Sequence, residues 1–212
     1  NAATALTAIS ALRDRGWAIP DDAVVTGLSK TRWPARFEVL GREPLFLLDG
    51  GHNPQCAEVV AENLTKYLGD EKLVFLTGVL SDKDYKAMIA SVLPHAEQFL
   101  CVTPDSPRAL DALDLRDYLR GLGCSADAYE DIPSAVHAAL ITGKPVLAFG
   151  SLYMAGDVRS SYYREKKTAQ RKYCMNSRRM LTPEERAEFS AELSHNLMKL
   201  PEVQNATHIF SY

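Results

Sequence analysis

The chain has 212 residues, 46% hydrophobic and 24% charged, with a formal net charge of −3 and a pI near 6.0. That balance suits a globular protein with a real core and gives no general attraction to nucleic acid or an anionic membrane, so any phosphate recognition has to be local. Cys56, Cys101, Cys124 and Cys174 have neither metal-ligand nor redox-pair spacing, and no signal peptide or long apolar run is present, which points to reduced thiols and a cytoplasmic protein.

The sequence opens at Asn1 already inside a helical pattern, rich in Ala and Leu over residues 2–15 and closed by Gly16. A second helix is predicted over 21–30, after Pro20. Two extended runs follow at 37–40 and 45–48, separated by a polar Gly41-Arg42-Glu43-Pro44 turn. Beyond them helix 54–68 leads to strand 73–76, helix 85–93 to strand 98–102, and helix 134–141 to strand 146–149. Apolar runs alternating with helical patterns predict an α/β fold with a mostly parallel sheet flanked by helices. Helix 182–200 and a strand-like run at 208–212 close the chain. Both ends read as cut, so the expected count is one domain plus part of a second.

In open parallel sheets ligands bind at the carboxyl ends of the strands. Those ends read Asp49-Gly50-Gly51-His52-Asn53-Pro54, Gly78-Val79-Leu80-Ser81-Asp82-Lys83-Asp84, Thr103-Pro104-Asp105-Ser106-Pro107-Arg108 and Gly150-Ser151-Leu152-Tyr153. In the first, a buried strand delivers Asp49 to the rim, two glycines allow close backbone approach, and Asn53 with Pro54 suits a helix cap and first turn. His52 then sits at a helix amino terminus, where unpaired N–H groups favour phosphate or carboxylate. The bland alternative is a glycine turn with a structural cap.

Together with Trp33-Pro34-Ala35-Arg36-Phe37-Glu38 upstream, the Asp49 to Pro54 loop, the Asp82-Lys83-Asp84 stretch and the Gly150-Ser151-Leu152-Tyr153 strand end, the chain resembles the folate branch of the Mur ligase family over residues 1–164. Gly51 stands where that family more usually has Ala. The resemblance implies a Rossmann-like carboxy-terminal domain of a folylpolyglutamate synthase, which joins glutamate to folate with ATP through an acyl phosphate. It implies that Asn1 contacts adenine, Arg36 reaches the ATP phosphates, Asp49 holds the ribose hydroxyls, and His52 lies between nucleotide and incoming glutamate. Catalysis would rest on His52 and Arg36. Ser151, with Asp82 and Lys83, would bind glutamate; alternatively Asp82 is only the cap of a solvated helix start. No Gly-x-x-x-x-Gly-Lys-Ser/Thr loop occurs here, so that loop and most Mg²⁺ ligands are expected in a preceding domain of the same ligase.

From Arg159 to Arg186 nine Lys or Arg (159, 164, 166, 167, 171, 172, 178, 179, 186) face three Glu (165, 184, 185). Residues 165–212, with Lys167, Arg171, Arg178 and Leu181-Thr182-Pro183-Glu184-Glu185, resemble the amino terminus of a 5-formyltetrahydrofolate cyclo-ligase. The implied role of Lys167 and Arg171, one helical turn apart, is ATP-phosphate contact in that second enzyme, whose remainder would be the other partner. Thr182 and Glu185 form a capping-box pattern with Pro183 at the first helical position, and the junction near Glu165 lacks a Gly/Ser linker, so a helix can run through it. Two other readings stay open: a catalytically silent scaffold, and an RNA-binding module using the basic helix.

Overall fold

The computed structural model describes residues 2–206. It falls into two compact units, Asn1–Val158 and Arg159–Tyr212. In the first unit the elements run α1 (Ala2–Asp14), α2 (Asp21–Lys30), β1 (Glu38–Arg42), β2 (Leu45–Asp49), α3 (Pro54–Leu68), β3 (Leu73–Thr77), α4 (Tyr85–Val92), β4 (Ala96–Cys101), α5 (Ala112–Gly121), β5 (Ser125–Ala128), α6 (Ile132–Ile141) and β6 (Val146–Phe149). Short 3₁₀ turns occupy Leu93–His95 and Leu152–Met154.

Among the described residues six strands form one sheet in the order β1-β2-β6-β3-β4-β5. Only β1 is antiparallel to its neighbour; β2, β6, β3, β4 and β5 are parallel. The central strands read as near-continuous apolar runs because helices cover both faces, and β3 and β6 are buried at every position. One face packs Leu47, Phe75, Phe99 and Leu147 against α3, α4 and α5 through Val60, Leu64, Ile89, Leu115 and Leu119. Strand neighbours point the opposite way, and α6 lies against β3 and β4 with Ile132, Ala135, Val136 and Ala139 buried.

The crossover helices start where short polar side chains satisfy their first N–H groups. Asn53, Asp84, Asp111 and Asp131 accept from the backbone of Cys56, Ala87, Leu113 and Ser134. The cap of α4 is therefore Asp84, not Asp82. Helix α6 starts at Ile132, ahead of the predicted 134, because Pro133 fits its first turn. The turn between β1 and β2 is only Glu43-Pro44; Gly41 and Arg42 belong to β1 and pair with Phe46 and Leu45. Elements α5 and β5 are additions to the sequence reading.

Helix α7 (Ala155–Met180) runs without a break past Glu165. Among the described residues the second unit holds α7 beyond Val158, then α8 (Pro183–Leu197) and α9 (Pro201–Gln204). The capping box at Thr182 is formed: its side chain accepts from the Glu185 N–H, and Glu185 accepts from the Thr182 N–H. No residue of α8 is buried, and Phe189, Leu193 and Leu197 are exposed. The predicted strand at 208–212 lies outside the described residues. Among the described residues no helix is long and apolar enough to cross a membrane.

Candidate functional site

Parallel register aligns Asp49, Phe149, Thr77, Cys101 and Ala128 in one row across the sheet. The residues that follow each of them turn over a common rim. At its centre the backbones after β6 and β3 touch: a Cβ on Gly150, whose φ is +122°, would lie 2.6 Å from the Gly78 carbonyl oxygen. The Thr77 hydroxyl, buried beside them, donates to the Phe149 carbonyl at 2.7 Å.

Around β2 the loop 49–53 is pinned from both ends. Asn53 caps α3, Pro54 occupies its first turn, and the His52 Nδ1 lies 3.1 Å from the Gly50 carbonyl. A carbonyl only accepts, so Nδ1 carries the proton, and in a neutral ring Nε2 holds the lone pair. Asp49 is buried, and its two oxygens accept from the Phe37 and Gly51 N–H groups, each at 2.7 Å. That grip bears on an uncommon backbone, since Ala35 and Phe37 have φ of 55° and 43°. Glu38 accepts from the Ala35 N–H and the Ala35 carbonyl accepts from Gly50, so the conformation is fixed from several sides. Arg36 stands exposed between these two residues. Asp49 thus shapes the arginine loop, a task invisible in its motif.

The 78–84 and 104–110 loops, after β3 and β4, are zipped together. Leu80 and Ala109 form an antiparallel bridge, the Ser81 N–H and hydroxyl both donate to the Arg108 carbonyl, and Leu110 N–H donates to Val79. Arg108 Nη1 pairs with Asp82 Oδ2 at 2.7 Å, and Nη2 lies 3.4 Å from the Tyr153 hydroxyl.

Two concavities result. One, about 490 Å³, is lined by His52, Leu80, Lys83, Arg108, Ser151, Leu152 and Tyr153. The other, about 370 Å³, includes Arg36, Asp49, Asn53, Gln55, Cys56 and Asn63. The residues predicted to hold nucleotide and those predicted to hold glutamate therefore fall mostly on different sides of loop 49–53. Ser151 is buried and caps the following 3₁₀ turn by accepting from the Tyr153 N–H, which leaves its own proton to donate. Asp82 does not line the cleft; its carboxylate is on Arg108. Sequence reasoning missed Arg108 and Tyr153 as cleft residues. A Pro-Arg pair at a parallel-strand end was the available signal for the first.

Asn1 lies outside the described residues. Lys167 and Arg171 project from the exposed surface of α7 in the second unit. Among the described residues no group of three or more His, Cys, Asp or Glu is placed to hold a metal ion. A Mg²⁺ arriving with ATP therefore has no ready cage among these residues.

Residues 35–152 match the family profile of the Mur ligase, glutamate ligase domain. The chain is 34% identical over 150 residues to a probable bifunctional folylpolyglutamate synthase/dihydropteroate synthase of Halobacterium salinarum, covering 69% of the chain and 18% of that protein. It is 32% identical over 162 residues to the dihydrofolate synthase/folylpolyglutamate synthase of Bacillus subtilis, covering 75% of the chain and 37% of that protein. A solved bifunctional folylpolyglutamate synthase/dihydrofolate synthase from Yersinia pestis, complexed with AMPPNP and Mn ion, superposes with a TM-score of 0.64 at 28% identity. That similarity covers 74% of the chain and 38% of the Yersinia protein. A further structure of such an enzyme, with Mn, AMPPNP and L-glutamate bound, gives a TM-score of 0.65 at 27% identity, with the same coverage of 74% and 38%. The chain thus spans well under half the length of these relatives.

Proposed function

Because the chain belongs to the Mur ligase family, with residues 35–152 as its glutamate ligase domain, we propose that its rim supplies part of an ATP-dependent ligation of glutamate to folate. The observation that carries this reading is the pair of concavities sharing loop 49–53. One has Arg36 beside the amino terminus of α3, suited to phosphate, and the other has Lys83, Arg108 and Ser151, suited to an amino acid's carboxylates.

In this scheme Asn1 contacts adenine and Arg36 steadies the phosphates. Asp49 keeps a second lone pair on each oxygen for the ribose hydroxyls. ATP phosphorylates a carboxylate of the folate, the amine of glutamate attacks the acyl phosphate carbon, and inorganic phosphate leaves. His52, with Nδ1–H spent on Gly50, can take the amine's proton on Nε2. Ser151 and Lys83 position the glutamate. Most of the rate comes from placement and charge neutralisation. A glycine-rich phosphate loop and Mg²⁺ ligands are assigned to a preceding domain. Helices α1 and α2 bury no residue, and Trp17 and Trp33 are 63% and 69% exposed, apolar surface suited to such a neighbour. The scaffold and RNA-binding readings draw no support from the rim.

The test joins the chain to a matching amino-terminal ligase domain. The joined protein should ligate glutamate, whereas the chain alone should release no ADP. Asp49→Asn should weaken nucleotide use and Ser151→Ala should raise the KM for glutamate, each by about 1–3 kcal/mol. Glutamate-dependent ADP release by the chain alone, or wild-type kinetics in both variants, would contradict the reading.

For residues 165–212 we propose the opening of a 5-formyltetrahydrofolate cyclo-ligase, with Lys167 and Arg171 as its phosphate contacts. The i, i+4 spacing on unbroken α7 supports it, as does the exposed apolar side of α8. A chain extended through the rest of such an enzyme should cyclise 5-formyltetrahydrofolate with ATP and lose that activity in Lys167→Ala. Retained activity would remove the assignment.

A further inference from the structure

We propose that Arg108, held in place by Asp82 and Tyr153, selects the side-chain carboxylate of the incoming amino acid, so that the cleft takes a dicarboxylic amino acid over its amide. This rests on the reading above, in which an amino acid enters the cleft with its amine toward the nucleotide side.

The sheet order sets the distances. Loop 49–53 follows β2 and Arg108 follows β4, three strand positions away, or about 14 Å at normal strand spacing. An α-carboxylate lies one carbon from the reacting amine and stays near His52 and Ser151. A side-chain carboxylate reaches toward the far wall, where the guanidinium stands. The cleft lining itself holds two cationic side chains, Lys83 and Arg108, the second already paired on one edge with Asp82, and their spare donors suit an amino acid with two acidic groups.

Arg108 is also built to be still. Its carbonyl accepts twice from Ser81, at 2.8 and 3.0 Å, and its neighbour Ala109 bridges Leu80. Asp82 takes one Nη1 donor and Tyr153 lies near Nη2, leaving the remaining guanidinium N–H groups of a flat fork for a ligand. The Asp82–Arg108 side chains are 40% and 48% exposed, so the pair adds little to stability. Orientation is what it supplies, and Asp82 acts as a positioning residue.

The experiment titrates the chain with L-glutamate and with L-glutamine, following amide and arginine side-chain signals by NMR. Glutamate should bind about tenfold tighter than glutamine, and Arg108→Gln should weaken glutamate about tenfold while leaving glutamine unchanged. Asp82→Asn should weaken glutamate alone by roughly two- to fivefold without moving the melting temperature, which a merely structural pair could not do. Arg108→Lys should recover part of the preference. Equal loss for both ligands, or a preference that survives Arg108→Gln while the His52 and Ser151 signals still respond, overturns this proposal and leaves the ligase reading standing. Silence of those signals toward both amino acids overturns the two together.

Discussion

The sheet unit and the helical unit after Val158 both carry apolar residues at regular spacing, yet they use them differently. In the sheet, Phe75, Phe99 and Leu147 lie between helices at 0%, 1% and 0% exposure. In α8, Phe189, Leu193 and Leu197 keep helical spacing and remain 53%, 69% and 47% exposed. The difference teaches that periodicity reports what a segment could bury, and only a partner element decides whether it does. It also separates where function can be precise: the rim is positioned by a packed sheet, and the basic helix is not.

Phe75→Ala should cost about 3–5 kcal/mol, while Leu193→Ala should stay within about 0.5 kcal/mol, measured by urea unfolding of the chain. Comparable losses would mean α8 is packed after all.

Next comes glycine. Gly150→Ala places a Cβ 2.6 Å from the Gly78 carbonyl at a φ of +122°, and should cost about 2 kcal/mol or more. Gly156→Ala, six residues on in α7, meets nothing within 4 Å and should gain up to about 0.5–1 kcal/mol. The two thermal melts should shift in opposite directions. The same sign in both would show that backbone approach at the rim is not the constraint.

Caps sharpen the contrast at smaller scale. Asn53→Ala and Thr182→Ala each remove a formed cap worth about 1 kcal/mol. The first should lower the melting temperature of the sheet unit, and the second should speed amide exchange at the start of α8. Cysteine reactivity gives the mildest probe. Burial, with Asp127 nearby, pushes the Cys101 thiol up to about 12, whereas Cys174 is exposed on α7. Alkylation near neutral pH should mark Cys174 promptly and Cys101 only after unfolding.

Much of the fold was legible because it rests on local chemistry. Asn53-Pro54 and the Thr182/Glu185 box name their helices, and the apolar runs of β2, β3 and β6 name buried strands. Strand β5 was not legible, since Ser125-Ala126-Asp127-Ala128 has no β-branched or aromatic residue and forms only against β4. Helix α5 did leave a trace, Asp111 followed by Ala112, Leu115 and Leu119. For the site, the glycine-histidine loop and Ser151 stood out by type and position. Two facts needed the fold itself. Each Asp49 oxygen accepts one N–H, from Phe37 and from Gly51, and Arg108 lines the cleft beside the bridge between Leu80 and Ala109. Asp82 and Asp84, two residues apart and alike, were separable only by seeing which one caps α4.

On the proposed ligase reading, glutamate and its nucleotide bind at the rim of the sheet and not on α8 or α9. Amide hydrogen exchange of the chain with and without saturating L-glutamate and a non-hydrolysable ATP analogue tests it most directly. Exchange should slow at residues 50–56, 80–84, 108–110 and 151–153, with no change across 183–204. Protection confined to the helical unit, or a rim that stays unaltered when both ligands are present, would contradict it.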